Sequence, residues 1–515
     1  MAKSLKYRYK KRPYKHQVQA LRKLLDNGWG GALLMEPRTG KTKVAIDYIS
    51  VLHTLGRANR VLMVGPLVAI QVWKNQLEEN CPVPYRLTIW DNKGRKQQEL
   101  PPYGHDILDI VLMNYDAFST PGAFRVYRSG PKKGQPILDA AGNKLRSKSR
   151  GGRYDTKRKI QRWQPQVIIL DESHRIKTPS ARKATALHSL GKVADYRVIL
   201  TGTVVTKSKR LFDIYSQWLF LNPGRFANMN YNEFKHRYGR WISKGNYDQW
   251  IGARNEQELH TEVHKDSFSI TREECYDLPS QTTQIIPVAL EESAQLYDQM
   301  AEDMVARIYT GEITEASIRL VQRLRLQQIT SGITKTSPTQ AYPQGRLVVI
   351  GAEKLRMVQS RLEDLMEADE KVVIGALFKA DIKRLTDLCQ KHLKVPVYVL
   401  QGGMKQADRD RAPEQFKRTR GGAVFIGQPA AAGEAIDLSC ASILQWYSLP
   451  SSWVNFRQFS DRIALSDKPT FHEFYLASGT VDFLMYETLQ EDGDIGKKMI
   501  QSPERLLRLN QGFGE

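Results

Sequence analysis

The sequence predicts an α/β protein with two separate parallel sheets, a helical extension between them and a basic insertion in the first. Five apolar, mostly β-branched runs alternate with helical patterns before residue 204, and a second such series follows residue 290. Pro, Gly, Ser, Lys and Arg dominate residues 120–162, which interrupt the first series. Continuous apolar runs alternating with helices are typical of parallel sheets covered on both faces.

The first domain is predicted over residues 1–204. Its helical patterns include Lys43–Leu55 and Ile70–Glu79. Its predicted strands are Ala32–Glu36, Arg60–Gly65, Ile110–Asn114, Val167–Asp171 and Val198–Thr201. In such sheets ligands bind beyond the carboxyl ends of the strands, so functional residues are expected there.

The remaining boundaries follow from the second series. Residues 205–290 are predicted to be a helical extension and linker, 291–500 a second α/β domain and 501–515 a C-terminal tail. The predicted strands of the second domain are Val372–Leu377, Val397–Leu400, Ala423–Gly427, Ile443–Tyr447 and Phe471–Leu476.

The formal charge of the 515-residue chain, +22, predicts a polyanionic partner, with nucleic acid as the default. Residues 125–162 hold 13 Lys and Arg against two Asp, which is half of the net charge. No apolar run approaches the roughly 18 residues of a membrane span, so no membrane partner is expected. The N-terminus lacks an apolar signal core, and the four cysteines have no metal-ligand spacing, which favours a reducing cytoplasm.

A phosphate-binding turn is predicted directly after the apolar strand at 30–36. A lysine at the start of the following helix can reach terminal phosphates, and the next hydroxyl can hold Mg²⁺. A complete phosphate loop has an earlier glycine, where this chain has Met35. The turn consists of Pro37, Arg38, Thr39, Gly40, Lys41 and Thr42.

Two adjacent carboxylates, Asp171 and Glu172, follow the buried run Val167–Leu170. Alone, such a pair is commonly a solvated strand end. Together with the phosphate-binding turn it predicts an ATP-hydrolysing site that uses ATP and Mg²⁺. Asp171 would hold the cation, and Glu172 would position the attacking water.

Gln17 precedes the turn by about 20 residues, and a glutamine amide can pair with both donor and acceptor edges of adenine. Thr201-Gly202-Thr203 ends a predicted strand. Small hydroxylated residues there can couple the nucleotide site to the other domain, although an ordinary strand-to-loop turn has the same composition.

The basic insertion is interpreted as an additional DNA contact, with a solvated loop as the alternative. Cations on a mobile segment gain affinity by counterion release without a fixed geometry. Tyr127, Tyr154 and Trp163 could stack on exposed bases. The candidate DNA-binding residues are Lys132, Lys133, Lys144, Arg146, Lys148, Arg150, Arg153, Lys157, Arg158 and Lys159.

In their order along the chain, these motifs resemble the superfamily-two helicases, and within them the Swi/Snf-type DNA translocases. The more specific resemblance lies in Leu221–Gly224, Leu278–Thr282 and Ala432–Leu438. It covers about residues 12–470. The ordered set is Gln17, Pro37–Thr42, Val64–Pro66, Asp171–His174, Leu200–Thr203, Ala431–Leu438 and Gln458–Arg462.

The resemblance implies two RecA-like domains with ATP between them and DNA across both. It assigns Arg12, Tyr14 and Gln17 to nucleotide binding, and His174 with Thr201–Thr203 to coupling. From the second domain it assigns Gly433, Glu434 and Gln458 to the nucleotide and Arg462 to the γ-phosphate.

Two positions depart from the family pattern. Arg38 replaces a glycine of the phosphate loop, and Leu465 replaces the second of two arginines spaced three apart. That second arginine usually faces the γ-phosphate. Either Arg462 or another arginine such as Arg457 replaces it, or hydrolysis is weak.

The sequence therefore predicts a DNA-dependent ATPase that translocates on duplex or branched DNA in replication, recombination or repair. A strand-separating helicase and a weakly hydrolysing ATP-binding scaffold are the alternatives. Nearly all of the chain is motor, which suits a bacterial protein or a phage protein in the host cytoplasm. A monomer is expected, and a loading protein is left open as a further partner.

Overall fold

Two parallel sheets organise the chain, which divides into one unit of Met1–Cys275 with Ile495–Glu515 and a second unit of Tyr276–Asp494. Each unit is built around one sheet, so the predicted α/β class with two parallel sheets is confirmed. The computed structural model describes residues 7–67, 69–90, 99–102, 104, 106–118, 155–202, 204–205, 211–226, 228–243, 245, 248–275, 280–309, 315–335, 346–432, 436–464 and 468–500.

Within the described residues, the first unit has a seven-stranded parallel sheet in the order β3-β4-β2-β5-β6-β1-β9. The remaining two strands, β7 and β8, form a separate antiparallel hairpin. The strands are β1 (Gly30–Met35), β2 (Arg60–Gly65), β3 (Tyr85–Ile89), β4 (Leu108–Asn114), β5 (Val167–Asp171), β6 (Tyr196–Thr201), β7 (Gly239–Ser243), β8 (Asp248–Ala253) and β9 (Ser267–Ile270).

Helices cover both faces of this sheet. Alternate residues of β1 enter opposite cores: Ala32 and Leu34 join one, and Leu33 and Met35 join the other. Short 3₁₀ turns follow β4 and β5 at Tyr115–Phe118 and Ser173–Ile176. The helices are α1 (Lys15–Asp26), α2 (Lys41–Thr54), α3 (Ala69–Asn80), α4 (Asp155–Trp163), α5 (Arg182–Gly191), α6 (Asp213–Leu221), α7 (Tyr231–Tyr238), α8 (Glu256–Lys265) and α9 (Arg272–Cys275).

The second unit has a six-stranded parallel sheet in the order β10-β17-β16-β13-β15-β14, again within the described residues. A small hairpin, β11–β12, is separate. The strands are β10 (Gln281–Val288), β11 (Ile333–Lys335), β12 (Leu347–Val349), β13 (Lys371–Gly375), β14 (Val397–Leu400), β15 (Ala423–Gly427), β16 (Ile443–Trp446) and β17 (Thr470–Ala477).

Helices of the second unit also pack on both sheet faces, where two apolar clusters form its core. A π-helical turn at Leu388–Leu393 extends α13. The helices are α10 (Ala294–Tyr309), α11 (Glu315–Thr330), α12 (Glu353–Glu367), α13 (Lys379–Asp387), α14 (Gln406–Arg418), α15 (Pro429–Ala432), α16 (Trp453–Ser460) and α17 (Val481–Ile500). No described helix is both long and apolar enough to cross a bilayer.

The segment 205–290 differs from the helical extension expected for it. It contains α6, α7 and α8, but also the β7–β8 hairpin and two strands that join the main sheets. β9 pairs with β1 in the first sheet, and β10 pairs with β17 in the second. Both lie at sheet edges, and because their residues are mostly exposed or half-buried their sequences carry little apolar periodicity.

Candidate nucleotide site

The phosphate loop joins β1 to α2, as the sequence predicts, and its shape depends on Gly40. This residue has φ +88°, and a Cβ there would lie 2.1 Å from the amide nitrogen of Gln17. A larger residue would be strained at this φ and would displace the Gln17 side chain, so the position favours glycine. Arg38, at φ +69°, occupies the left-handed region that favours the glycine it replaces, so the loop carries backbone strain at that position.

Lys41 and Thr42 stand in the first turn of α2, where backbone amides have no intrahelical partner and favour an anion. The Lys41 Nζ donates to the carbonyl oxygens of Met35 and Glu36 at 2.7 and 3.1 Å. Thr39 Oγ1 donates to the same Glu36 carbonyl at 2.8 Å. The ammonium thus lies against its own loop, between the end of β1 and the start of α2.

The start of α1 contacts this loop. Gln17 Oε1 accepts from the Tyr14 backbone amide at 3.0 Å, and its Nε2 donates to the Thr39 carbonyl at 3.4 Å. A ring nitrogen of His16 lies 2.9 Å from that carbonyl, and the His16 and Tyr14 rings stack at 5.8 Å. His16 was not singled out from the sequence. Arg12 is exposed on the preceding segment.

Asp171 ends β5, and Glu172 follows it with φ +52°. The Trp73 indole donates to Asp171 Oδ2 at 2.9 Å, and the Glu172 amide donates to Oδ1 at 3.0 Å. The Tyr115 hydroxyl donates to the Asp171 carbonyl at 2.7 Å. Trp73 and Tyr115 thus fix the position of Asp171. The sequence does not single them out, because a buried aromatic residue looks like part of the apolar core.

The two carboxylates differ in acidity. Burial and the negative charge of Glu172 raise the pKa of Asp171 to about 6, against the opposing effects of Trp73 and Lys41. Burial acts to raise the pKa of Glu172 as well, but His174 and Lys41 reverse this and lower it. The His174 Nδ1 lies 3.2 Å from Glu172 Oε2. Glu172 therefore loses its proton at a lower pH than Asp171 does.

The donor set fits a magnesium ion. Burial and the charge of Glu172 raise the pKa of Asp171, and a divalent cation beside the two carboxylates would oppose both effects. Asp171 and Thr42 offer the hard oxygen ligands that Mg²⁺ prefers, and Mg²⁺ commonly takes only one or two carboxylates together with substrate phosphates. The described residues hold no cluster of three or more His, Cys, Asp or Glu that could bind a metal.

Thr201 and Gly202 adjoin the phosphate loop from β6. Thr201 is paired in register with Leu34 of β1 and is buried. A Cβ on Gly202 would lie 2.8 Å from the Pro37 ring, so this glycine permits the close approach of the two loops. Thr203 lies outside the described residues.

The second unit carries Gln458 in α16 and Arg462 in the turn that follows this helix. The Arg462 Nε donates to the Gln458 carbonyl at 2.7 Å, and Nη1 donates to the Ile436 carbonyl at 3.1 Å. Arg457 pairs with Asp461, with Nε and Oδ1 3.2 Å apart. Gly433, Glu434 and Leu465 belong to the parts of the chain that are not described.

A basic helix, α4, is the described part of the insertion. Ile160 and Trp163 are buried, and the Trp163 indole donates to the Pro101 carbonyl at 3.1 Å, which fixes the helix to the first unit. Lys157, Arg158 and Lys159 lie on this anchored helix. The other candidate DNA-binding cations, between Lys132 and Arg153, fall outside the described residues, as does the tail at 501–515.

Family models match most of the chain. The SNF2-related domain matches residues 14–333, and the helicase conserved C-terminal domain matches residues 353–464. Because the first match alone spans more than half of the sequence, the chain belongs to the SNF2-related family of ATP-hydrolysing helicases and translocases. The resemblance stated from the motifs is thereby confirmed.

Individual relatives are distant. A probable chromatin-remodeling complex ATPase chain of Oryza sativa subsp. japonica is 23% identical over 84% of this chain and 35% of its own length. The putative ATP-dependent helicase/translocase YwqA of Bacillus subtilis (strain 168) is 22% identical over 97% of this chain and 50% of its own. The DNA annealing helicase and endonuclease ZRANB3 of Bos taurus is 24% identical over 68% and 31%.

The chain thus spans about a third to a half of the length of these curated relatives. Among solved structures, the Sulfolobus solfataricus SWI2/SNF2 ATPase core in complex with dsDNA is 20% identical, with a TM-score of 0.41 and coverage of 97% of both chains.

Proposed function

We propose that this protein is a DNA-dependent ATPase that translocates along duplex or branched DNA in replication, recombination or repair. The observation that carries the proposal is the arrangement of Lys41, Asp171 and Glu172 at the carboxyl edge of one parallel sheet. Lys41 donates to the carbonyls of Met35 and Glu36 at the end of β1, and Asp171 and Glu172 stand at the end of β5, which is separated from β1 by β6 alone in the same parallel sheet.

ATP and Mg²⁺ are the proposed ligands of this site. The amides at the start of α2 and Lys41 would bind the phosphates, Thr42 and Asp171 would hold the cation, and Gln17 would contact the adenine. The cation would polarise the terminal phosphate, and Glu172 would orient the attacking water. Arg462 of the second unit would stabilise the charge that develops on the γ-phosphate.

DNA is the proposed track because the charge of +22 is concentrated in the insertion that contains α4. The printed names of two relatives support this proposal, since YwqA is a putative ATP-dependent helicase/translocase and ZRANB3 a DNA annealing helicase and endonuclease. We further infer a monomer in the cytoplasm of a bacterium or a phage-infected host. The four cysteines, all within the described residues, are free, which supports a reducing compartment.

Displacement of a third strand from a triplex tests translocation, because a motor that tracks on duplex removes the third strand without opening the duplex. We expect ATP-dependent release from the triplex and little separation of a forked duplex. Separation of the forked duplex without triplex release would favour the strand-separating helicase. Nucleotide and DNA binding without either reaction would favour the weakly hydrolysing scaffold.

A further inference from the structure

Glu36 joins the phosphate loop to the place where the chain leaves the first unit. It follows β1, whose last residue, Met35, is in register with Ile270 at the end of β9. The Glu36 amide donates to the Ile270 carbonyl at 3.1 Å. After β9 the chain forms α9 and then continues into the second unit, whose first described strand is β10.

The Glu36 side chain holds the start of α9. Its Oε2 accepts from the Arg272 backbone amide at 3.0 Å and lies 3.4 Å from the Arg272 Nε. Only 9% of the Glu36 side chain and 8% of the Arg272 side chain are exposed. A buried ion pair of this kind is weak evidence for added stability, since desolvation opposes it, but it defines one arrangement of the two segments.

The Glu36 main chain holds the phosphate loop. Its carbonyl accepts from the Thr39 amide at 3.3 Å, from Thr39 Oγ1 at 2.8 Å and from Lys41 Nζ at 3.1 Å. A phosphate that draws Lys41 towards itself therefore changes the bonding at Glu36. We call residues 271–275 the exit segment. Within it the Thr271 amide donates to Glu274 Oε2 at 2.7 Å, and this internal bond allows the segment to move as a unit.

We propose that the Glu36–Arg272 pair transmits phosphate binding from the loop to the exit segment, and through it to the chain that enters the second unit. Glu36 and Arg272 act as positioning residues, since the Glu36 carboxylate contacts the amide and the guanidinium of Arg272. The inference rests on the proposed function for its nucleotide, and it adds the route by which the nucleotide state leaves the first unit.

Amide hydrogen exchange with a non-hydrolysable ATP analogue and Mg²⁺ tests the route directly. In the unmodified protein we expect slower exchange in both 37–42 and 271–275, by about fivefold or more, the lower end of typical coupling. In Arg272→Gln the slowing at 37–42 should persist and that at 271–275 should be lost. Arg272→Lys, which retains the charge, should keep part of the slowing at 271–275.

The matched control is Arg86→Gln, which removes one partner of the ion pair with buried Asp109, where Nε and Oδ1 are 2.7 Å apart. It should lower the melting temperature and leave the exchange response intact. If Arg272→Gln does not fold, Arg272→Lys and Glu36→Gln replace it. No response at 271–275 in the unmodified protein, or an unchanged response in the Arg272 variants, would overturn the inference.

Turnover separates this inference from the proposed function. If DNA stimulates the ATPase, Arg272→Gln should reduce the ratio of stimulated to basal turnover by about fivefold or more, with DNA affinity unchanged. If DNA does not stimulate the unmodified protein, the proposed function fails, and the exchange experiment still decides the inference.

Discussion

The indole of Trp73 donates a 2.9 Å hydrogen bond to Oδ2 of Asp171, across 98 positions of sequence. Trp73 is buried in α3, and Asp171 ends β5. The bond fixes the orientation of one carboxylate oxygen and opposes the rise in the pKa of Asp171. It therefore affects both the geometry and the charge of the proposed magnesium ligand.

Magnesium affinity should depend on pH because Asp171 must lose its proton to bind the cation. Burial and the charge of Glu172 raise the pKa of Asp171 to about 6. Protons therefore compete with Mg²⁺ below pH 6, and the Mg²⁺ concentration for half-maximal ATPase should rise up to about tenfold per pH unit there. It should level off above pH 7. A flat profile between pH 5 and 8 would contradict this assignment.

Trp73→Phe should move that dependence to higher pH, since it removes the donor that stabilises the ionised carboxylate. The half-maximal Mg²⁺ concentration is measured over the same pH range. Trp163→Phe, which removes an indole bond to Pro101 instead, is the matched control and should not shift the profile. Equal shifts in the two variants would show that Trp73 has no specific effect on Asp171.

Lys41→Ala should reduce ATP turnover more than about tenfold, or about 1.4 kcal/mol of transition-state stabilisation, and leave DNA binding largely intact. Lys41 is the proposed phosphate ligand, whereas the proposed DNA contacts lie in the basic insertion that contains α4. Lys43→Ala provides the control, because Lys43 pairs with Asp47 at 2.7 Å in the same helix. Unchanged turnover in the folded Lys41→Ala variant would show that Lys41 does not bind the phosphates.

Replacing Lys157, Arg158 and Lys159 of α4 by alanine should weaken duplex binding and flatten its salt dependence. Three lost phosphate contacts would reduce the slope of log K against log salt by about 2.7. Affinity is measured between 50 and 200 mM salt, with the melting temperature as a check on folding. Lys192→Ala, at the end of α5, is the comparison. An identical salt slope would exclude α4 from the DNA contact.

Arg462→Ala should cost more than about tenfold in DNA-stimulated ATPase, above roughly 1.4 kcal/mol, with a modest loss of ATP affinity. Arg462→Lys should retain only part of the activity, since a point charge does not reproduce the guanidinium fork. Arg457→Ala, which leaves Asp461 without its 3.2 Å partner, is the control. A silent Arg462→Ala with a severe Arg457→Ala would reassign the arginine, and two silent variants would place it elsewhere.

The sequence predicts those strands that are continuous apolar runs. Strands β2 and β5 have the predicted bounds, because both faces of a central strand must be apolar. Strands β3, β9 and β10 were not predicted. Each of the three lies at the edge of its sheet. β10 is also largely exposed, so neither composition nor periodicity distinguishes this strand from a loop.

The site divides in the same way. Lys41, Asp171 and Glu172 can be proposed from the sequence because each lies in a short local motif, and Gln17 because it precedes the phosphate-binding turn by about 20 residues. The residues that contact these side chains cannot be predicted in this way. His16 reaches Thr39 across 23 positions and Arg272 reaches Glu36 across 236, and no local pattern specifies such contacts. These pairings depend on which strands become neighbours in the sheet.

ATP turnover, measured with and without saturating duplex DNA in the unmodified protein and in Glu172→Gln, tests the central claim most directly. The amide keeps the size of the side chain but loses the charge that orients water, so turnover should fall about 100-fold or more while ATP and DNA still bind. We expect duplex DNA to stimulate the unmodified protein by at least about tenfold, a difference of about 1.4 kcal/mol. Turnover that is indifferent to DNA and equal in Glu172→Gln would contradict the account.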